Sequence, residues 1–142
     1  MTTWDLKTPL EVRDYEIDMQ GIVHHSVYVN YLEYARSKLA KTKGIDVHQL
    51  HAQGFDIVVA NLNIDYKSPL QPTTCFYVNT TMRQVGRLRL VFDQEIRRQP
   101  DDSLVLTATI TCAILNLKTM RPCMPEILLT KLQTPPNPSA TD

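Results

Sequence analysis

The sequence has no surplus of charge of either sign: across 142 residues, 15 Lys and Arg balance 15 Asp and Glu. A formally neutral chain exerts no global pull on nucleic acid or an anionic membrane, so neither is an expected partner, although a local basic strip can still hold phosphate. Cysteine is scarce and poorly spaced for metal or redox work. Cys75, Cys112 and Cys123 make an odd count with no CxxC pair, which argues against a zinc ribbon or a dithiol motif. Small thiols within apolar strands and a reducing compartment fit better. Long apolar runs are missing too. No stretch approaches the ~20 residues of a membrane helix. The N-terminal "MTTWDLKTPLEVRDYE" shows no basic segment followed by an apolar one, as a signal peptide would. A soluble, cytoplasmic protein is expected, with no membrane association and no cofactor.

What is present reads as one folded unit over residues 1–132, near the usual size of a domain. A Pro-rich tail, 133–142, follows and is expected to be loose. A first strand is expected over Lys7 to Ile17, and a helix over Val27 to Lys43, where Tyr28, Tyr31, Leu32, Ala35 and Leu39 recur at helical spacing. Ser26 is the expected N-cap and Gly44 the stop. A short turn covers Val47 to Gln53. Four segments of period two follow. "FDIVVANLNIDY" sets Val58, Ala60, Leu62, Ile64 and Tyr66 on one face, with Asn61, Asn63 and Asp65 on the other. "CFYVNTTMRQV", "RLRLVFDQEIRR" and "LVLTATITCAILNL" alternate likewise, and "QPDDS" joins the last two with hairpin chemistry. Short connections imply antiparallel neighbours. The expected architecture is α+β, one long helix on a five-stranded antiparallel sheet. One helix leaves sheet uncovered, which predicts a homo-oligomer, a dimer or a tetramer.

The chemistry concentrates in "YEIDMQGIVHHSVYVNYLEYAR", where Asp18, Gly21, His24 and His25 lead into the helix. Taken locally, Asp18 is a turn residue ahead of Gly21, and the histidines are polar packing where the helix begins. His48 and His51 stand i, i+3 apart without a third ligand, so no metal site is expected. Glu33 and Arg36 are also i, i+3, an arrangement that suits a surface ion pair.

The same stretch, extended to "VRDYEIDMQGIVHHSVYVNYLEYAR", resembles the N-terminal signature of hotdog-fold thioesterases of the 4-hydroxybenzoyl-CoA thioesterase type. "FDIVVANLNIDYKSPL" looks like the strand that follows the central helix in bacterial long-chain acyl-CoA thioesterases, and "ATITCAILNLKTMRP" is similar to their last strand. The resemblance spans Leu10 to Pro122. It departs at Val27, where many members have Asn, and at His24–His25, where the long-chain type has an Asn pair. It implies a hotdog fold and hydrolysis of an acyl-CoA thioester. Such a reaction needs a donor for the oxyanion, which the N–H groups of a helix N-terminus supply, and the implied role at His25 is a main-chain one. Asp18 is implied as base or nucleophile, with Gly21 shaping its loop and Glu33 as a minor alternative base. Arg83, Arg87, Arg89 and Lys67 are candidate partners for CoA phosphates, and Asn61 and Asn63 are expected to reach a neighbour's substrate across a dimer interface. The acyl chain is expected beside Val58 and Ala60. An acyl-carrier-protein thioesterase, an acyl-thioester hydratase or dehydratase using Asp18 with a histidine, and a non-catalytic acyl-thioester binding module stay open.

Overall fold

The structure, a computed structural model, describes residues 3–133 and 135, so the expected tail lies outside the described residues except at Gln133 and Pro135. Six strands form one antiparallel sheet in the order β1-β3-β4-β5-β2, with β6 pairing on β5. They are β1 (Leu6–Glu11), β2 (Phe55–Tyr66), β3 (Cys75–Val85), β4 (Arg89–Arg98), β5 (Leu104–Asn116) and β6 (Arg121–Cys123). The expected five becomes six because β6 has only three residues, too few for a period to register. Helices α1 (Val27–Thr42), α2 (Val47–Ala52) and α3 (Glu126–Leu132) complete the chain.

The core lies between α1 and one face of the sheet. Tyr28, Tyr31, Leu32, Ala35 and Leu39 of α1 pack with Phe76, Val78, Leu90, Phe92, Ile96, Leu106 and Ile110. These strand residues follow the expected alternation, because each neighbouring pair in the register shares a face: Phe92 lies opposite Met82 and Ile110. The β4–β5 connection closes as a hairpin, the Arg98 N–H donating to Ser103 O at 2.9 Å.

Three local expectations are corrected. The first strand ends at Glu11, and Asp14–Glu16 form a 3-10 turn instead of strand, because the Glu16 carboxylate folds back to accept the Arg13 N–H at 2.8 Å. Ser26 does not cap α1: its backbone is already helical and its side chain makes no cap bond. The third correction concerns β2. A bulge between Val59 and Asn61 shifts its register on β5, so Val59 lies opposite Cys112 whereas Leu62 lies opposite Ile110. One extra residue, Ala60, reverses the faces. Ile57, Val59, Leu62 and Ile64 therefore lie on the helix side, and Val58, opposite Ala113, goes with Asn61 and Asn63 to the other side.

Candidate active site

The loop between β1 and α1 is built like a small hairpin. Ile17 and Val23 form an isolated bridge, which fits two apolar side chains that bury against the core. Within it the Asp18 N–H donates to Ile22 O at 2.8 Å, and the Gly21 N–H to Asp18 O at 3.1 Å. Gly21 takes φ +79°, and a Cβ there would meet nothing within 4 Å. The left-handed backbone, not crowding, is therefore what requires glycine. Asp18 is half-buried. Its Oδ1 accepts the Gln20 N–H at 2.9 Å. The Gln20 amide, with its nitrogen turned inward, lies 3.0 Å from Oδ2 and 3.1 Å from Oδ1. The turn role expected of Asp18 on local grounds is thus realised, and its carboxylate stays at the surface of the loop.

The start of α1 stands beside this loop. His24 C=O accepts the Val27 N–H at 2.9 Å, and His24 Nδ1 lies 3.2 Å from the Ser26 N–H and 2.7 Å from Ser26 Oγ. The His25 N–H has no hydrogen-bond partner among the described residues, and the His25 side chain is exposed. Its carbonyl is held from the far strand: Tyr66 Oη, on β2, donates to His25 O at 2.8 Å.

Contacts that no local pattern announces hold the loop in place. Glu16 is buried, and its Oε1 accepts Tyr31 Oη at 2.7 Å as well as the Arg13 N–H, while its carbonyl accepts the His24 N–H at 3.0 Å. Tyr28 Oη accepts the Leu70 N–H at 3.0 Å, and Leu70 O accepts the Val23 N–H at 2.9 Å. Burial pushes the Tyr31 phenol far up, reinforced by its bond to Glu16. Burial likewise raises Tyr28 and Tyr66. All three phenols keep their protons and their donor capacity.

Asp18, Gly21 and His25 lie on the one loop that leads into α1, and Lys67 follows Tyr66 directly, its N–H donating to Val105 O at 2.7 Å. The remaining candidates stand elsewhere in the chain. Asn61 and Asn63 lie opposite Thr111 and Thr109 on the sheet face away from α1. Arg83 pairs with Asp93 at 2.6 Å on that same face, Arg89 lies opposite Ala113, and Arg87 is exposed in the β3–β4 turn. Arg83 shares a row with Asn61, five residues along β5 from the Tyr66–Leu106 pair, about 17 Å at strand rise. The expected Glu33–Arg36 pair is replaced: Arg36 donates to Gln94 Oε1 at 3.1 Å and lies over the Phe92 ring. Burial lowers its guanidinium pKa. His51 is engaged by Asp56 at 2.7 Å. Between α1 and the β2 side of the sheet runs a groove of about 780 Å³, lined by Glu33, Arg36, Ala40, Val59, Phe92 and Cys112 among others.

Residues 12–140 match the thioesterase-like superfamily. The chain belongs to that superfamily. Among curated relatives, the chloroplastic acyl-acyl carrier protein thioesterase ATL2 of Arabidopsis thaliana is 31% identical over 109 residues, 77% of this chain but 58% of that protein. The chain therefore spans little more than half of that relative. The long-chain acyl-CoA thioesterase FadM of Escherichia coli is 27% identical over 117 residues, 82% of this chain and 87% of that one. Among solved structures, Slr0204, a 1,4-dihydroxy-2-naphthoyl-CoA thioesterase from Synechocystis, superposes with a TM-score of 0.82 at 18% identity, covering 89% and 93% of the two chains. That likeness speaks for the hotdog fold of this superfamily member. Among the described residues of this thioesterase-like chain, no helix is long and apolar enough to cross a membrane.

Proposed function

We propose that the chain hydrolyses acyl-CoA thioesters, with Asp18 activating water and the His25 N–H receiving the oxyanion. The observation that carries this reading is one loop, closed by the Ile17–Val23 bridge, that bears Asp18 and runs into the head of α1, where the His25 N–H has no partner among the described residues. A free N–H at a helix N-terminus favours negative charge. Water held between Asp18 and the thioester carbonyl loses a proton to the carboxylate as its oxygen attacks the carbon. The carbonyl oxygen gains charge against the His25 N–H. Collapse of the tetrahedral species expels the coenzyme A thiolate, which takes up the proton.

A neighbouring copy completes the site. β2 is an open edge of 12 residues, with Val59 52%, Leu62 40% and Tyr66 49% exposed. The other edge, β1, has six residues and contains Pro9. A long apolar edge pairs readily with another chain, whereas a short one with proline does not. Pairing β2 with its own copy, antiparallel, turns the far end of one sheet toward the other copy's α1 N-terminus. Antiparallel pairing keeps the faces of the joined sheet, so Asn61, Asn63 and Arg83 stay on the side away from both α1 helices, and Arg87 and Arg89, at the β3–β4 turn, serve the neighbour's CoA phosphates beside Lys67. The acyl chain follows the groove past Val59 and Phe92. Cys75, Cys112 and Cys123 are free thiols, which suits the reducing cytoplasm.

The similarity to ATL2 favours one second reading, in which the carrier is acyl carrier protein. Thiol release is the test: acyl-CoA and acyl-carrier-protein substrates of matched chain length are assayed with a thiol reagent. Faster turnover of the CoA ester supports the first reading. Turnover of the carrier-protein ester alone replaces it with the second. Change in enoyl absorbance without thiol release refutes both in favour of a hydratase.

A further inference from the structure

We infer that His24 is a positioning residue: its imidazole caps α1 and holds the turn that presents the His25 N–H. The inference rests on the oxyanion role proposed above. A helix opens with N–H groups that have no intrahelical acceptor, and the residue at the cap normally supplies a side-chain oxygen. Here the residue with the cap's backbone role is His24, whose carbonyl accepts the Val27 N–H at 2.9 Å. Its side chain does what a capping oxygen does, Nδ1 accepting the Ser26 N–H at 3.2 Å with Ser26 Oγ at 2.7 Å. Ser26, the residue with ordinary capping chemistry, makes no cap bond of its own.

The arrangement specifies a protonation state. A backbone N–H can only donate, so Nδ1 is the acceptor and the ring proton sits on Nε2. The ring is braced by His25, whose imidazole stacks on it with centroids 4.3 Å apart. The turn is tied down on both sides, by the His24 N–H to Glu16 O at 3.0 Å and by Tyr66 Oη to His25 O at 2.8 Å. With the turn fixed at these points, the direction of the His25 N–H follows from the cap.

Protonation removes the acceptor, since an imidazolium carries N–H on both nitrogens. The Ser26 N–H then faces a donor. The other titratable groups around this turn are the His25 imidazole, the Asp18 and Glu16 carboxylates, Lys67, and the Tyr28, Tyr31 and Tyr66 phenols. The Glu16 carboxylate is already committed to the Arg13 N–H and to Tyr31. An asparagine at position 24 keeps an acceptor at all pH values, and asparagine is a good capping residue.

Two measurements decide the matter. The first is the imidazole ¹⁵N spectrum of the wild-type protein with its Ser26 amide exchange: an unprotonated Nδ1 and a protected Ser26 amide are expected, and a proton on Nδ1 overturns the cap. The second is turnover on an acyl-CoA. His24→Ala should lose about fivefold in kcat, the rate equivalent of one lost cap bond, with KM unchanged. His24→Asn should recover most of that loss. Wild-type kcat in His24→Ala, a loss there that falls on KM instead of kcat, or no recovery in His24→Asn overturns the positioning role. If His24→Ala does not fold, His24→Asn carries the kinetic test, and kcat below about half of wild type in that variant overturns the role. Absence of thiol release by the wild type would be a failure of the thioesterase reading instead, and the ¹⁵N spectrum would still decide the cap.

Discussion

At the scale of single residues, the proposal gives Asp18, Gly21 and His25 separate roles in the loop. Asp18→Asn keeps an oxygen for the Gln20 N–H, which Oδ1 now accepts at 2.9 Å, and the Gln20 side chain can turn its amide oxygen to the new NH2 group, so the turn survives while basicity is lost. Turnover should fall by roughly 10² to 10⁴, the usual worth of a general base, with the melting temperature unchanged. His25→Ala should cost much less, because the proposed donor is main chain; steady-state kinetics of the two variants side by side separate the roles. Equal losses would mean that the imidazole itself takes part. Gly21→Ala meets no steric obstacle but must hold φ +79°, at about 1–2 kcal/mol, so thermal unfolding should register the strain. The Asp-x-x-Gly turn was legible because it is local. The contacts that hold it were not: Tyr31 reaches Glu16 across 15 residues, Tyr66 reaches His25 across 41, and Leu70 reaches Tyr28 across 42. No window of periodicity carries such information. His24 had a signal that capping preferences hide, since a histidine two residues before a serine is not a usual cap.

At the scale of elements, alternation made β3, β4 and β5 readable, and the apolar stripe did the same for α1. β2 shows how the same logic misleads when a bulge intervenes. Its apolar residues run Phe55, Ile57, Val59 and then Leu62, Ile64, Tyr66, so the phase slips by one at Ala60, where the register shifts. The slip was visible in the sequence, but assuming a single phase put Val58 and Ala60 on the wrong face. The strand expected to continue through Ile17 failed for another reason: the Glu16 carboxylate, one residue short of its expected end, bonds back to the Arg13 N–H and competes with a ladder. Removing that carboxylate's other partner tests the element. Tyr31→Phe leaves buried Glu16 with one donor fewer, which should cost about 1–3 kcal/mol. Chemical denaturation would show a lowered midpoint, and an unchanged midpoint would mean that the Tyr31 bond does not stabilise the loop.

At the scale of the whole molecule, the proposed reacting end of one chain and the basic residues Arg87 and Arg89 of the same chain do not meet. The edge strand β2 reconciles them if two copies pair. Leu62, 40% exposed on that edge, is the residue to charge. Leu62→Lys should shift the assembly to monomer in sedimentation and lower turnover together, as lysine on an edge strand blocks pairing. A monomeric variant with full activity would restrict the site to one chain and remove Arg87 and Arg89 from it. The mode of Asp18 action also belongs to the whole catalytic cycle, because base and nucleophile yield the same products. A single turnover in oxygen-18 water with enzyme in excess separates them. Water activation places the label in the product acid, and direct attack through a mixed anhydride leaves it in the Asp18 peptide.

The central claim, thioester cleavage at the Asp18 loop and the head of α1, is met most directly by one assay: thiol release from a panel of acyl-CoA esters by wild type and Asp18→Asn in parallel. The expected result is thiol release by the wild type on at least one ester, reduced by roughly 10² or more in the variant. Release that is undiminished in Asp18→Asn would contradict the assignment of the site, and no release by the wild type from any ester would contradict the activity itself.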